Sequence, residues 1–276
     1  MSKVPFFLKQ FSVVVITGGS SGIGESFLKD IGEYRPDICF FNLSRTVPQI
    51  NLKNLRHIPC DLADLAQTQA AAEQILEALP GLPKGKILLI NNSGYGVYGL
   101  SDQMDHAALL GMVDLNIRAM VDLTQRLIPA LIERGGNIIN VGSLAGFVPT
   151  PTIAVYGATK SFVLHWSLSL RSELGDHGIG VLVLCPGPTT TQFFRRAGFD
   201  QGAMPHGTGT SSEFVVMRAL KAAAANRSIE TPGWTNKVMR FLSMLLPLEL
   251  QVPITYQVLK RVRLDVLKRK NPPCRK

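Results

Sequence analysis

The fold class that the sequence predicts is α/β: a doubly wound parallel sheet with helices on both faces. Three observations carry that prediction. Short runs that are apolar throughout, not alternating, recur along the chain, as in strands covered on both faces. Segments of helical periodicity separate them. A glycine-rich turn joins the first apolar run to the first helical segment.

The elements follow in order. Val13 to Ile16 is all apolar and reads as the first strand, with a helix from about Ile23 to Tyr34 after the turn. Ile38 to Leu43 and Leu55 to Cys60 are the second and third strands. Leu65 to Leu79 is a helix, ended by Pro80-Gly81-Leu82-Pro83. Ile87 to Ile90 is the fourth strand, and Met104 to Glu133 holds one or two long helices. Asn137 to Val141 is the fifth strand, Thr152 to Leu174 a helix, and Gly180 to Leu184 the sixth strand. No internal repeat or linker divides this region. One domain over residues 1–232 is expected, followed by an amphipathic, basic extension over 233–276.

Composition narrows the function classes. At 276 residues and 46% hydrophobic, the chain buries a substantial core. No run reaches the roughly 18 apolar residues that cross a bilayer. The N-terminal residues lead straight into the first strand, so no secretion signal is expected. Cys39, Cys60, Cys185 and Cys274 show no paired spacing, and the five histidines do not cluster. Free thiols in a reducing, cytoplasmic setting and no metal site are the expectation. The net charge of +9 is concentrated at the end: Lys260 to Lys276 holds eight basic residues and one acid.

Three motifs carry chemistry. Thr17-Gly18-Gly19-Ser20-Ser21-Gly22-Ile23-Gly24 lies between a strand and a helix. Its glycines at 18, 22 and 24 let backbone approach a pyrophosphate seated on the helix amides. The second strand ends in Leu43-Ser44-Arg45-Thr46; an acid there would bind ribose hydroxyls, whereas Arg45 suits a 2′-phosphate and so favours NADP(H), with NAD(H) the alternative. Asp61-Leu62 places a carboxylate at the adenine edge, or else a helix cap. Third, Tyr156 and Lys160 are four residues apart and share a helix face. An ammonium near a phenol favours phenolate, which lets the tyrosine exchange a proton with a carbonyl or alcohol oxygen near neutral pH. Ser143, on a neighbouring element, would hydrogen-bond the same oxygen.

These motifs, with Asn91-Asn92-Ser93-Gly94, Asn116 and Pro186-Gly187 in order, resemble the short-chain dehydrogenase/reductase family in its compact single-domain form, over roughly residues 12 to 232. The resemblance implies a Rossmann-type fold, a nicotinamide cofactor, and hydride transfer to or from a carbonyl or alcohol carbon. It implies Tyr156 as the acid/base, Ser143 as the donor to the carbonyl oxygen, and Lys160 on the nicotinamide ribose. Asn116 would hold a water linking Lys160 to solvent. Asn92, Ser93 and Gly94 would support the adenosine half, and Pro186, Gly187, Thr189 and Thr191 would flank the nicotinamide. Ser93 stands where alanine is usual in the family. A homo-oligomer, dimer or tetramer, through the long helices around Asn116 and Tyr156 is also implied.

Residues 189–212 form a long loop that the resemblance makes a substrate lid. Its Phe193, Phe194, Phe199 and Met204 present an apolar face to substrate or pin the loop to the core. Near the C-terminus, Val238, Phe241, Leu242, Leu245 and Leu246 lie on one helix face, Pro247 and Pro253 interrupt, and a second helix is expected from Ile254 to Leu267. This segment meets anionic headgroups, caps the pocket, or makes a subunit contact. Nucleic acid is not expected, because the basic run lacks interleaved aromatics. The sequence therefore reads as an NADPH-dependent ketone reductase acting on a lipophilic, acyl-chain or steroid-like substrate. The alternatives are an NAD-dependent alcohol dehydrogenase and an NADP(H)-binding regulatory or membrane-associated protein.

Overall fold

A computed structural model describes residues 3–190 and 209–260. Seven parallel strands form one sheet in the order β3-β2-β1-β4-β5-β6-β7. They are β1 (Phe11–Thr17), β2 (Cys39–Ser44), β3 (Leu55–Pro59), β4 (Lys86–Asn91), β5 (Gly136–Val141), β6 (Gly180–Leu184) and β7 (Ile229–Glu230). The order reverses between β1 and β4, and a crevice opens there at the carboxyl ends of the strands.

Side chains alternate through the sheet, and both faces are buried. Val13 and Val15 of β1 pack with α3 (Leu65–Ala78), α5 (Ala119–Arg134) and α6 (Ala154–Glu173) on one side. Val14 and Ile16 pack on the other side with α1 (Lys3–Leu8), α2 (Gly22–Tyr34) and α7 (Ser212–Ala224). Two covered faces are why these strands are apolar at consecutive positions. The remaining helices are α4 (His106–Val113), α8 (Trp234–Leu245) and α9 (Leu248–Leu259).

The six expected strands are present, and the structure adds to them. Strand β7 pairs with β6 over only two residues, Val183 with Ile229 and Leu184 with Glu230, too few for a periodic signal. Helix α1 is six residues long and is held by burial of Val4, Phe7 and Leu8, with Phe7 edge-on to Phe11 at 4.9 Å. Between α4 and α5 the helix widens into a π turn over Asp114–Arg118, which carries Asn116 inward to full burial.

The second C-terminal helix requires a correction. It starts at Leu248, not Ile254, with Pro247 as its N-cap and Pro253 inside it. Pro253 lies in the second turn of this helix, and Glu249, four residues before it, is an exposed residue. Thr191, the lid residues Phe193, Phe194, Phe199 and Met204, and the basic tail beyond Lys260 lie outside the described residues.

Candidate active site

Strand ends and helix starts build one cleft of about 1090 Å³ at the crevice. Its cofactor-sized arm begins at the glycine-rich turn, where Gly18 and Gly22 have φ of 70° and 61°. Such values suit glycine, and a methyl on Gly18 would also stand 2.7 Å from Ser93 Oγ. Ser21 is the N-cap of α2 but makes no side-chain cap, which leaves the first-turn amides open to an anion. Asn92 clamps the turn by donating from Nδ2 to the carbonyls of Thr17 and Gly18 at 3.0 and 3.1 Å. Thr17 Oγ1 in return accepts from the amides of Asn92 and Ser93. Asn42, an unexpected contributor, accepts from the Gly19 amide at 2.8 Å.

At the outer end, Ser20, Ser21, Ile23, Ser44, Arg45, Asp61 and Leu62 line the cleft. Arg45 is 72% exposed and lies 3.7 Å from Asp61, an exposed pair worth little by itself and free to be re-partnered. The Ser44 hydroxyl is engaged internally: it accepts from Asn42 and donates to the Thr46 carbonyl. Asp61 does not cap α3. That position is Asp64, whose carboxylate accepts from the Gln67 amide.

At the inner end, α6 brings Tyr156 and Lys160 onto the cleft wall, and Ser143, two residues past the end of β5, caps a 3-10 turn over Leu144–Phe147. Lys160 is buried and donates from Nζ to the Val141 carbonyl at 2.9 Å. Burial pushes its ammonium down to about 8, so it remains charged at neutral pH. Its Nζ lies 5.8 Å from the centre of the Tyr156 ring. Ser143 Oγ accepts from the Ala145 amide at 3.1 Å, which leaves its own proton to donate. Pro186, Gly187 and Thr189 form the opposite rim, and the Leu144 amide ties β5 to it through the Pro186 carbonyl.

Asn116 and Gly24 stand behind the cleft wall. Asn116 accepts from the Tyr95 amide at 3.1 Å and donates to the Tyr95 carbonyl and to Thr159 Oγ1. A methyl on Gly94 would be 2.9 Å from Asn116 Oδ1 and 3.4 Å from Lys160 Nζ, so this glycine keeps open the space between them. Ser93 is half-buried on the cleft wall. For the half of the cleft beyond Tyr156, a cap formed by the C-terminal segment is one of three expectations from the sequence, with no lining residue named. Tyr95, Tyr98 and Ile153 line it, and Leu242 of α8, Leu246 at its C-cap, and Ile254 and Leu259 of α9 complete the wall. The C-terminal helices thus cap the cleft. Among the described residues, no cluster of His, Cys, Asp or Glu could hold a metal ion.

Comparison with known proteins agrees with this geometry. The family model for short chain dehydrogenases matches residues 12–201. The chain belongs to the short-chain dehydrogenase/reductase family. Among its relatives, sulfoacetaldehyde reductase 2 of Chromohalobacter salexigens is 30% identical over 201 residues, 69% of this chain and 78% of that protein. Ketoacyl reductase HetN of Nostoc is 25% identical over 244 residues, 84% of this chain and 82% of its own length. A short-chain dehydrogenase from Sphingobium yanoikuyae in complex with NADPH superposes with a TM-score of 0.71 at 25% identity, covering 86% of this chain and 96% of that one. This short-chain dehydrogenase is therefore an oxidoreductase, and the uncapped amides of α2, the glycine turn and the cleft fit a nicotinamide dinucleotide.

Proposed function

We propose that this enzyme is an NADPH-dependent reductase of ketones, reversible in principle, with a lipophilic substrate. The observation that carries the reading is the convergence of Ser143, Tyr156 and buried, charged Lys160 on one cleft that also holds the glycine-rich turn and Arg45. When bound, the nicotinamide supplies the hydride. The α2 amides with Gly18, Ser20, Ser21, Gly22 and Ile23 would hold the pyrophosphate, and Arg45 would leave Asp61 for the 2′-phosphate. Asn92, Ser93, Gly94 and Leu62 would support the adenosine half, while Pro186, Gly187 and Thr189 would flank the nicotinamide.

Tyr156 gives its phenolic proton to the carbonyl oxygen as charge develops there, and the Ser143 hydroxyl donates to the same oxygen. The Lys160 ammonium favours the phenolate that results and would also bind the nicotinamide ribose. Asn116 would hold a water in the space that Gly94 leaves beside Lys160, linking the ammonium to solvent. The lipophilic substrate is supported by the wall beyond Tyr156, where Ile153, Leu242, Leu246, Ile254 and Val258 form a largely apolar lining interrupted by Ser243, Gln251 and Thr255. A homo-oligomer through α4, α5 and α6 is supported by exposed Leu110, Ile132 and Phe162 on those helices.

The reading is tested by following NADPH oxidation against methyl ketones of increasing chain length. Turnover that rises with chain length is expected. Preference for short, polar carbonyls would overturn the lipophilic half, and no turnover by protein that binds NADPH would overturn the whole.

A further inference from the structure

Helices α8 and α9 are apolar on two sides. Their inner faces supply Leu242, Leu246, Ile254 and Val258 to the cleft. Their outer faces leave Trp234, Phe241, Met244, Leu245 and Leu250 exposed, Trp234 at 76% and Met244 at 68%. Of the large apolar side chains exposed among the described residues, more than half lie on this one hairpin. A soluble surface rarely gathers so many in one place.

These helices lead directly into the most basic stretch of the sequence. Residues 231–276 hold ten basic and two acidic side chains, against a net charge of +9 for the whole chain. Lys237 and Arg240 stand on α8 itself, the former 3.7 Å from Glu230 and the latter over the Phe147 ring at 5.0 Å. The hairpin is thus pinned to the body of the fold at its start. An apolar helix face with an interfacial tryptophan and basic neighbours matches an anionic bilayer surface.

We propose that the α8–α9 hairpin is a docking surface for anionic lipid bilayers, and that it sets the mouth of the cleft against the membrane. The outer side chains enter the headgroup and acyl boundary while the inner ones continue the apolar path to Tyr156. A lipophilic substrate dissolved in the bilayer then reaches the cleft without crossing water. Entry of a lipophilic substrate from the bilayer rests on the proposed function; docking itself does not, because it is measured without turnover.

The test is flotation of the full chain with phosphatidylcholine–phosphatidylglycerol vesicles and with phosphatidylcholine alone, beside a Phe241→Glu/Leu245→Glu variant. Both positions are exposed and lie outside the cleft lining. The wild type is expected to float with the anionic vesicles, and the variant to lose at least roughly a hundredfold in partitioning while binding NADPH as before. A wild type that stays in solution with anionic vesicles, or that floats equally with neutral ones, overturns the proposal. So does a variant that floats like the wild type. Sedimentation without lipid supplies the remaining arm: a wild-type oligomer that the double substitution dissociates would assign the face to a second copy.

Discussion

The buried charge on Lys160 sets stability against function, and Lys160→Met exposes the exchange. In the native protein the ammonium has one described hydrogen bond, to the Val141 carbonyl, and burial lowers its pKa from 10.5 to about 8. That depression corresponds to about 3 kcal/mol by which the fold disfavours the charged form. Methionine keeps the length, removes the charge, and leaves the Val141 carbonyl without that donor at a cost of roughly 1–3 kcal/mol. At pH 7 the variant should therefore be as stable as the wild type or more so, by about 1 kcal/mol, while losing turnover.

The pH dependence is the sharper part. Stability rises with pH wherever the unfolded chain binds more protons than the folded one. Below about 8 Lys160 is charged in both states; between about 8 and 10.5 only the unfolded chain keeps its proton. The wild type should gain about 3 kcal/mol relative to Lys160→Met across that window. Urea unfolding followed by the fluorescence of Trp166 and Trp234 at stepped pH measures it, and the titration of other groups cancels in the difference. Parallel pH profiles for the two proteins would refute the buried-ammonium account.

Three further outcomes follow from the geometry. Gly94→Ala places a methyl against Asn116 Oδ1 and in the gap beside Lys160; turnover should fall roughly tenfold or more, with about 1–3 kcal/mol lost in urea, and an unchanged rate would remove the gap from the proton path. Arg45→Ala should lower the preference for NADPH over NADH by roughly ten- to a hundredfold in binding titrations, since it removes a charge-assisted contact; an unchanged ratio would place 2′-phosphate recognition elsewhere. Glu230, buried at the sheet edge with Arg218, Arg227 and Lys237 around it, should cost about 2–3 kcal/mol on change to alanine, read from the urea midpoint. A neutral result would mean that the three cations are satisfied by water.

The fold was legible where local pattern and global packing coincide. Val13 to Ile16 is apolar at every position because α3 and α2 cover opposite faces of β1. The glycine turn and the Tyr156/Lys160 pair carry their spacing in the chain itself. What escaped depends on distant partners. The two residues of β7 are defined only by their pairing with β6, and the Asn116 side chain that the π turn buries donates to the Tyr95 carbonyl and to Thr159 Oγ1. Pro253 misled because a proline rule weighs the lost hydrogen bond without knowing that Glu249, four residues before it, is exposed. The wall formed by α8 and α9 lies a hundred residues from Tyr156 in the chain, and only the tertiary fold brings Leu259 to it.

The central claim is that Tyr156 moves the proton in ketone reduction. Rapid-mixing measurement of NADPH oxidation, wild type beside Tyr156→Phe with the best long-chain ketone, tests it most directly. The phenol ring is kept in place while its hydroxyl is removed. The account predicts a rate lower by roughly 10²–10⁴-fold in the variant, with NADPH affinity changed little. A variant that reduces the ketone at the wild-type rate would contradict it, and would move the acid to another group in the cleft.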